Sequence, residues 1–157
     1  MINVLFQTPI YVWFILAYLI YIGIRATTTR IVPLISQFIM PIFFIGQNYQ
    51  LLLKGLPLLT AYILGICAGL FIGLYIGLKT HIKIIKNSRS VEIPGNYQTL
   101  ALILSYFCIR YFFGFLYATN PILALKYSPY ETIIIGVFSG FVLGKALAFT
   151  RKFFQLA

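Results

Sequence analysis

The chain has 157 residues, a formal net charge of +10 and a mean hydropathy of +0.96, with 61% hydrophobic and only 9% charged residues. Soluble domains carry about 25% charged residues, so this chain lacks the polar surface to cover a water-soluble globule, and lipid is the solvent that fits. A membrane span takes ~20 apolar residues, so the length holds several spans and excludes a separate soluble domain.

The first apolar run covers residues 8–24. Thr8 suits an N-cap and Pro9 a first helical position, and the run stops at Arg25-Ala-Thr-Thr-Thr-Arg30. The flank before it is uncharged and has no small-residue cleavage pattern, so a retained span is expected and not a signal peptide. The second run, residues 31–53, contains Pro33 and Pro41 and carries Gln47, Asn48 and Gln50 late in its length. A kink is expected there, and a partly re-entrant path is the alternative to a full span. The third run, residues 57–78, again starts with Pro in its first turn.

Residues 79–96 form the one substantial polar segment. His81–Ile85 and Ser90–Ile93 partly alternate around a turn-like Lys86-Asn-Ser-Arg89, which predicts a short cytoplasmic β-hairpin closed by Pro94-Gly95. The fourth run, residues 97–119, contains Arg110. The fifth, residues 129–149, is expected to begin at Ser128-Pro129-Tyr130-Glu131, a capping-box pattern with Pro at the first helical position. The expected fold is an all-α membrane protein: a single domain over 1–157, built as a five-helix transmembrane bundle with the hairpin between helices 3 and 4.

The basic residues orient this bundle. With the N-terminus outside, the inner ends carry Arg25, Arg30, Lys79, Lys83, Lys86, Arg89, Lys145, Arg151 and Lys152. The outer loops carry Lys54 and Lys126, and Arg110 lies within a span, which accounts for all twelve Lys and Arg. The positive-inside rule then orients the chain with its C-terminus in the cytoplasm. The same charges suit anionic lipid headgroups as partners and make nucleic acid a poor reading of the net charge.

Two glycine stripes follow helical spacing: Gly65, Gly69, Gly73 and Gly77 in the third run, and Gly136, Gly140 and Gly144, continued by Ala148, in the fifth. Residues four apart share one helix face, so each helix has a bare groove that admits a second backbone closely. Whether the stripes meet within one chain or between copies is open in the sequence, as is the choice between a homo-oligomer and a different membrane-protein partner.

Arg110 needs a structural account, because an Arg at the centre of a span costs ~2.5–3.5 kcal/mol on insertion scales. It either snorkels to the headgroups or meets an internal partner. Tyr106 and Gly114 lie four residues to either side, Tyr106 offering its ring and Gly114 room for a neighbouring helix. Glu131, Gln47 and Asn48 fall on the same expected outer side. Arg110, Glu131, Gln47, Asn48 and Tyr106 are therefore the candidate outer-leaflet polar cluster, suited to an anion or a lipid headgroup, with Glu131 acting as helix cap, ion-pair partner or both.

Little else points to chemistry. Glu92 and Glu131 are the only acids, His81 is the only histidine, and Cys67 and Cys108 sit inside apolar runs as expected buried thiols. No metal-ligand spacing, phosphate loop or nucleophile constellation is present, so neither catalysis nor a cofactor is expected. The function expected is that of a structural or accessory membrane protein that binds a partner or lipid. The alternative is a small transporter or channel subunit for an anionic solute, since spans without acids argue against cation coupling.

Ile93-Pro-Gly95, Leu100-Ala-Leu-Ile103, Arg110-Tyr111-x2-Gly114 and Gly136-x2-Ser139-Gly140-x3-Gly144-Lys-Ala-Leu147, together with Thr8-Pro-x-x-Val-Trp13, resemble a family of small uncharacterised bacterial inner-membrane proteins. The resemblance spans most of the chain. It implies about five transmembrane helices and an inner-membrane location, and no activity.

Overall fold

The computed structural model describes residues 10–33, 35–46, 48, 55–80, 83–85 and 90–156. Thr8, Pro9, Gln47, Lys54, His81, Lys86 and Arg89 lie outside the described residues. In chain order the elements are α1 (Ile10–Arg25), β1 (Arg30–Pro33), α2 (Ser36–Gly46), α3 (Leu56–Lys79), β2 (Lys83–Ile85), β3 (Ser90–Ile93), α4 (Tyr97–Thr119) and α5 (Pro121–Leu156). The fold is predominantly α-helical. Three helices, α3, α4 and α5, are long and apolar enough to cross a membrane; α1 and α2 are shorter apolar helices.

Local chemistry explains most of the boundaries. Gly55, at φ 102°, turns the chain into α3, and Pro57 sits in the first turn, where its missing N–H costs nothing. Asn96 caps α4 by accepting a hydrogen bond from the Gln98 backbone N–H at 2.8 Å. Thr27 and Thr28 donate their hydroxyls to the carbonyls of Ile24 and Arg25 at the end of α1.

Four features differ from the sequence-based expectation. Residues 30–33 are not the start of a helix but strand β1, and α2 is confined to Ser36–Gly46. β1 supplies what an isolated hairpin lacks, a third strand: the sheet has the order β1-β3-β2 and is antiparallel throughout. Glu92 lies opposite Ile31 on one side and Lys83 on the other. The last helix begins at Pro121 and continues through Pro129. Its cap is Asn120, whose side-chain oxygen accepts from the Leu123 N–H at 3.3 Å, so Ser128-Pro129-Tyr130-Glu131 is helix interior and not a capping box. Finally, Cys67 and Cys108 are exposed on the bundle surface, not buried.

α3 and α5 form the centre of the bundle and run parallel. A Cβ placed on Gly65 would stand 3.0 Å from the Gly136 Cα, and one on Gly136 would stand 3.1 Å from the Gly65 Cα. Further along, Gly69 abuts the Val137 backbone, Gly73 the Phe141 backbone and Gly77 the Ala148 methyl, while Gly140 and Gly144 abut the Ile66 and Leu70 carbonyls. The two stripes therefore face each other within one chain. α4 and α2 pack against α5, and α1 packs against α4, where Gly23 lies against Leu100. The sheet gathers at one end: the Asn96 N–H donates to the Ala26 carbonyl at 3.2 Å, and the Lys152 ammonium donates to the Thr80 carbonyl at 2.6 Å. The C-terminal ends of α1, α3 and α5 and the N-terminus of α4 thus share the sheet end.

Candidate functional site

The polar cluster is built where α2, α4 and α5 meet, at the end away from the sheet. Arg110 projects from α4. Its guanidinium stands 3.6 Å from one Glu131 carboxylate oxygen and donates to the Asn48 side-chain oxygen at 3.4 Å. Its charged carbon lies 5.9 Å from the centre of the Tyr106 ring. That ring is held edge-on by Phe44 at 4.6 Å and Phe138 at 5.6 Å. Arg110, Glu131, Asn48 and Tyr106 thus come together, while Gln47 lies outside the described residues. Gly114 does not take part: beyond its own stretch of helix, no atom of the described residues lies within 4 Å of where its Cβ would be.

Each partner is itself held. The second Glu131 oxygen accepts from the Tyr117 hydroxyl at 3.1 Å. Asn48 donates its side-chain amide to the Phe44 carbonyl at 2.7 Å. Glu131 is buried and Arg110 partly so, with side-chain exposures of 11% and 36%. The cluster neutralises its own charge and braces three helices against one another. Its chemistry is that of a fixed ion pair with hydrogen-bonded supports.

Tyr117 is a member that the sequence reading missed. It lies two helical turns beyond Arg110, on the stripe that includes Tyr106, so helical spacing carries the signal. A second polar contact also went unread. The Tyr62 hydroxyl of α3 and the fully buried Ser139 hydroxyl of α5 are 3.2 Å apart, and Ser139 donates to the Ile135 carbonyl at 3.0 Å. In the sequence Ser139 is one small residue beside Gly140, with nothing to mark it as polar glue.

The basic residues expected as anchors fall at the sheet end where they are described: Arg25 and Lys79 close α1 and α3, Arg30 and Lys83 lie in β1 and β2, and Arg151 and Lys152 lie in the last turns of α5. Lys79 lies 4.5 Å from the Tyr75 ring centre. Lys86 and Arg89 lie outside the described residues. Among the described residues no three His, Cys, Asp or Glu side chains come together as a metal site would require.

Comparison with protein-family models, with curated proteins and with solved structures finds no match to this chain.

Proposed function

We propose that this chain is an integral membrane protein with a non-catalytic, accessory role, a self-contained bundle whose outward apolar faces meet lipid or a partner protein. Support comes first from the surface. Phe14, Tyr18, Phe71, Phe112 and Ile122 are each more than half exposed, an apolar girdle that water does not tolerate on a monomer and that hydrocarbon does.

The observation that carries the reading is that the bundle's special features are spent internally. Both glycine stripes are occupied by each other, so neither is available as a subunit interface. Arg110 is occupied by Glu131 and Asn48, so a transported anion would first have to displace a carboxylate. The transporter or channel reading draws correspondingly less support.

In this proposal the sheet end, with its basic residues, faces the cytoplasm across an inner (plasma) membrane, and the N-terminus is outside. α1 and the stretch containing α2 bring the crossings to five. A crossing by the stretch containing α2 is supported by β1 lying in the sheet before it and by Asn48 beyond it reaching Arg110. Native mass spectrometry of the full chain, extracted in mild detergent from its own membrane, tests the role. A monomer carrying lipid or a different protein is expected. A defined homo-oligomer that conducts anions in liposomes contradicts the proposal.

A further inference from the structure

A cavity of about 100 Å³ lies between α2, α4 and α5, on the sheet side of the Arg110 cluster. Its surface is almost wholly apolar, and the residues with polar heads around it fall toward one end. On α4, Gln98 and Thr99 precede Ile103 by about one turn, and α4 runs away from the sheet. On α5, Lys145 follows Phe141 by about one turn, and α5 runs toward the sheet. Gln98, Thr99 and Lys145, from two antiparallel helices, therefore stand beside the sheet end of the cavity, with the Gln98 amide oxygen accepting from the Asn96 side-chain amide at 3.0 Å. The other end is closed by Ile103, Phe141 and Phe44 of α2.

Lys145 lies with its ammonium 6.0 Å from the centres of both the Phe141 and Phe149 rings. A second observation comes from α2. Gln37 is one turn nearer the sheet than Met40, on the α2 face that carries Met40 and Phe44, and both its amide oxygen and nitrogen are buried without a hydrogen-bond partner. Buried amides in proteins are normally paired, and a polar group entering at this level would pair this one.

We propose that the cavity holds part of one acyl chain of an anionic phospholipid, with the lipid phosphate at the sheet end against Lys145, Gln98 and Thr99. The inference rests on the membrane reading above. An apolar pocket alone accepts any hydrocarbon. The Lys145 cation and the Gln98 and Thr99 donors beside its sheet end select an amphiphile with an acidic head. The surrounding end of the bundle, with Arg25, Lys79, Arg151 and Lys152, adds a positive potential of the sign that attracts anionic headgroups. The volume takes only a few methylene groups, so the remainder of the lipid lies outside it against the bundle surface.

The test uses the full chain in mild detergent, equilibrated with mixed micelles of phosphatidylglycerol and phosphatidylcholine in equal amounts and read by native mass spectrometry. The wild-type chain is expected to keep one phosphatidylglycerol under activation that strips loosely bound lipid. Lys145→Gln is expected to lower that retention about fivefold, the effect of one basic residue against an anionic headgroup. Ile103→Trp, which fills the apolar end and leaves Lys145 in place, is expected to lower it as well. Lys126→Gln, at the opposite end of the bundle, leaves it unchanged. Equal retention of both lipids, a retained mass matching a free fatty acid, or undiminished phosphatidylglycerol on Lys145→Gln overturns the proposal. If Ile103→Trp does not fold, Lys145→Gln still decides. Failure of the membrane reading looks different: the chain would then leave washed membranes without detergent, whereas failure of the lipid site leaves a detergent-extracted chain with no selective lipid.

Discussion

The Arg110–Glu131 pair is lopsided: Arg110 keeps 36% of its side chain exposed and Glu131 only 11%. Removing either partner therefore has a different consequence. Arg110→Met leaves a buried carboxylate with only the Tyr117 hydroxyl for support, and loss of one member of a buried pair costs about 3 kcal/mol. Glu131→Gln leaves an Arg that still reaches Asn48 and can turn its exposed part outward, and costs about 1 kcal/mol. Thermal unfolding in mild detergent should rank the variants in that order, and the reverse order would mean that Arg110 carries the burial cost. Tyr62→Phe removes one interhelical hydrogen bond at the α3–α5 contact, and about 0.6 kcal/mol is expected in the same assay. At this scale the sequence was informative wherever a residue was chemically out of place. A lone Arg, a lone acid and an Asn in apolar runs point to one another. Tyr117 and Tyr62 do not stand out, because Tyr is common throughout this chain and its hydroxyl partner is set only by tertiary packing.

Among the helices, the glycines divide into those that touch a backbone and those that do not. Gly69→Ala pushes a methyl into the Val137 and Phe141 backbones, and overpacking of this kind costs about 1–3 kcal/mol. Gly114→Ala meets nothing among the described residues beyond its own stretch of helix within 4 Å, and replacing Gly in a helix interior gains about 0.5–1 kcal/mol. Melting temperatures of the two variants are expected to move in opposite directions; a common direction would argue against the α3–α5 contact. The same contrast shows what element boundaries conceal. Asn120-Pro121 and Ser128-Pro129 are two copies of one start signal. The capping box favours the second, yet α5 starts at the first and runs through Pro129, with Glu131 inside the helix against Arg110 and Tyr117. In the same way Arg30–Pro33 is apolar enough to read as the start of a helix. It becomes a strand because β3, about sixty residues on, offers it an edge, and such a distant pairing has no local signature. α4 presented no such ambiguity, since Asn96 provides the only cap ahead of its apolar run.

Over the whole molecule, charge and fold coincide. The ends of α1, α3 and α5, the start of α4 and the sheet all lie at one end, and that end collects the described basic residues other than Arg110, Lys126 and the partly buried Lys145. The composition makes lipid the expected solvent, and the positive-inside pattern makes this asymmetry legible in the sequence. What it could not convey was the internal pairing of the glycine stripes, because a bare helix face is the same whether its complement is in the same chain or another. The central claim is that the bundle sits in a membrane with its sheet end on the cytoplasmic side. Cysteine accessibility tests it most directly. In a Cys67→Ser, Cys108→Ser background, Thr29→Cys and Lys126→Cys mark the two ends, and both positions are exposed. A membrane-impermeant maleimide applied to intact cells is predicted to label Lys126→Cys at once and Thr29→Cys only after permeabilisation. Labelling of both before permeabilisation, or of Thr29→Cys alone, would contradict the account.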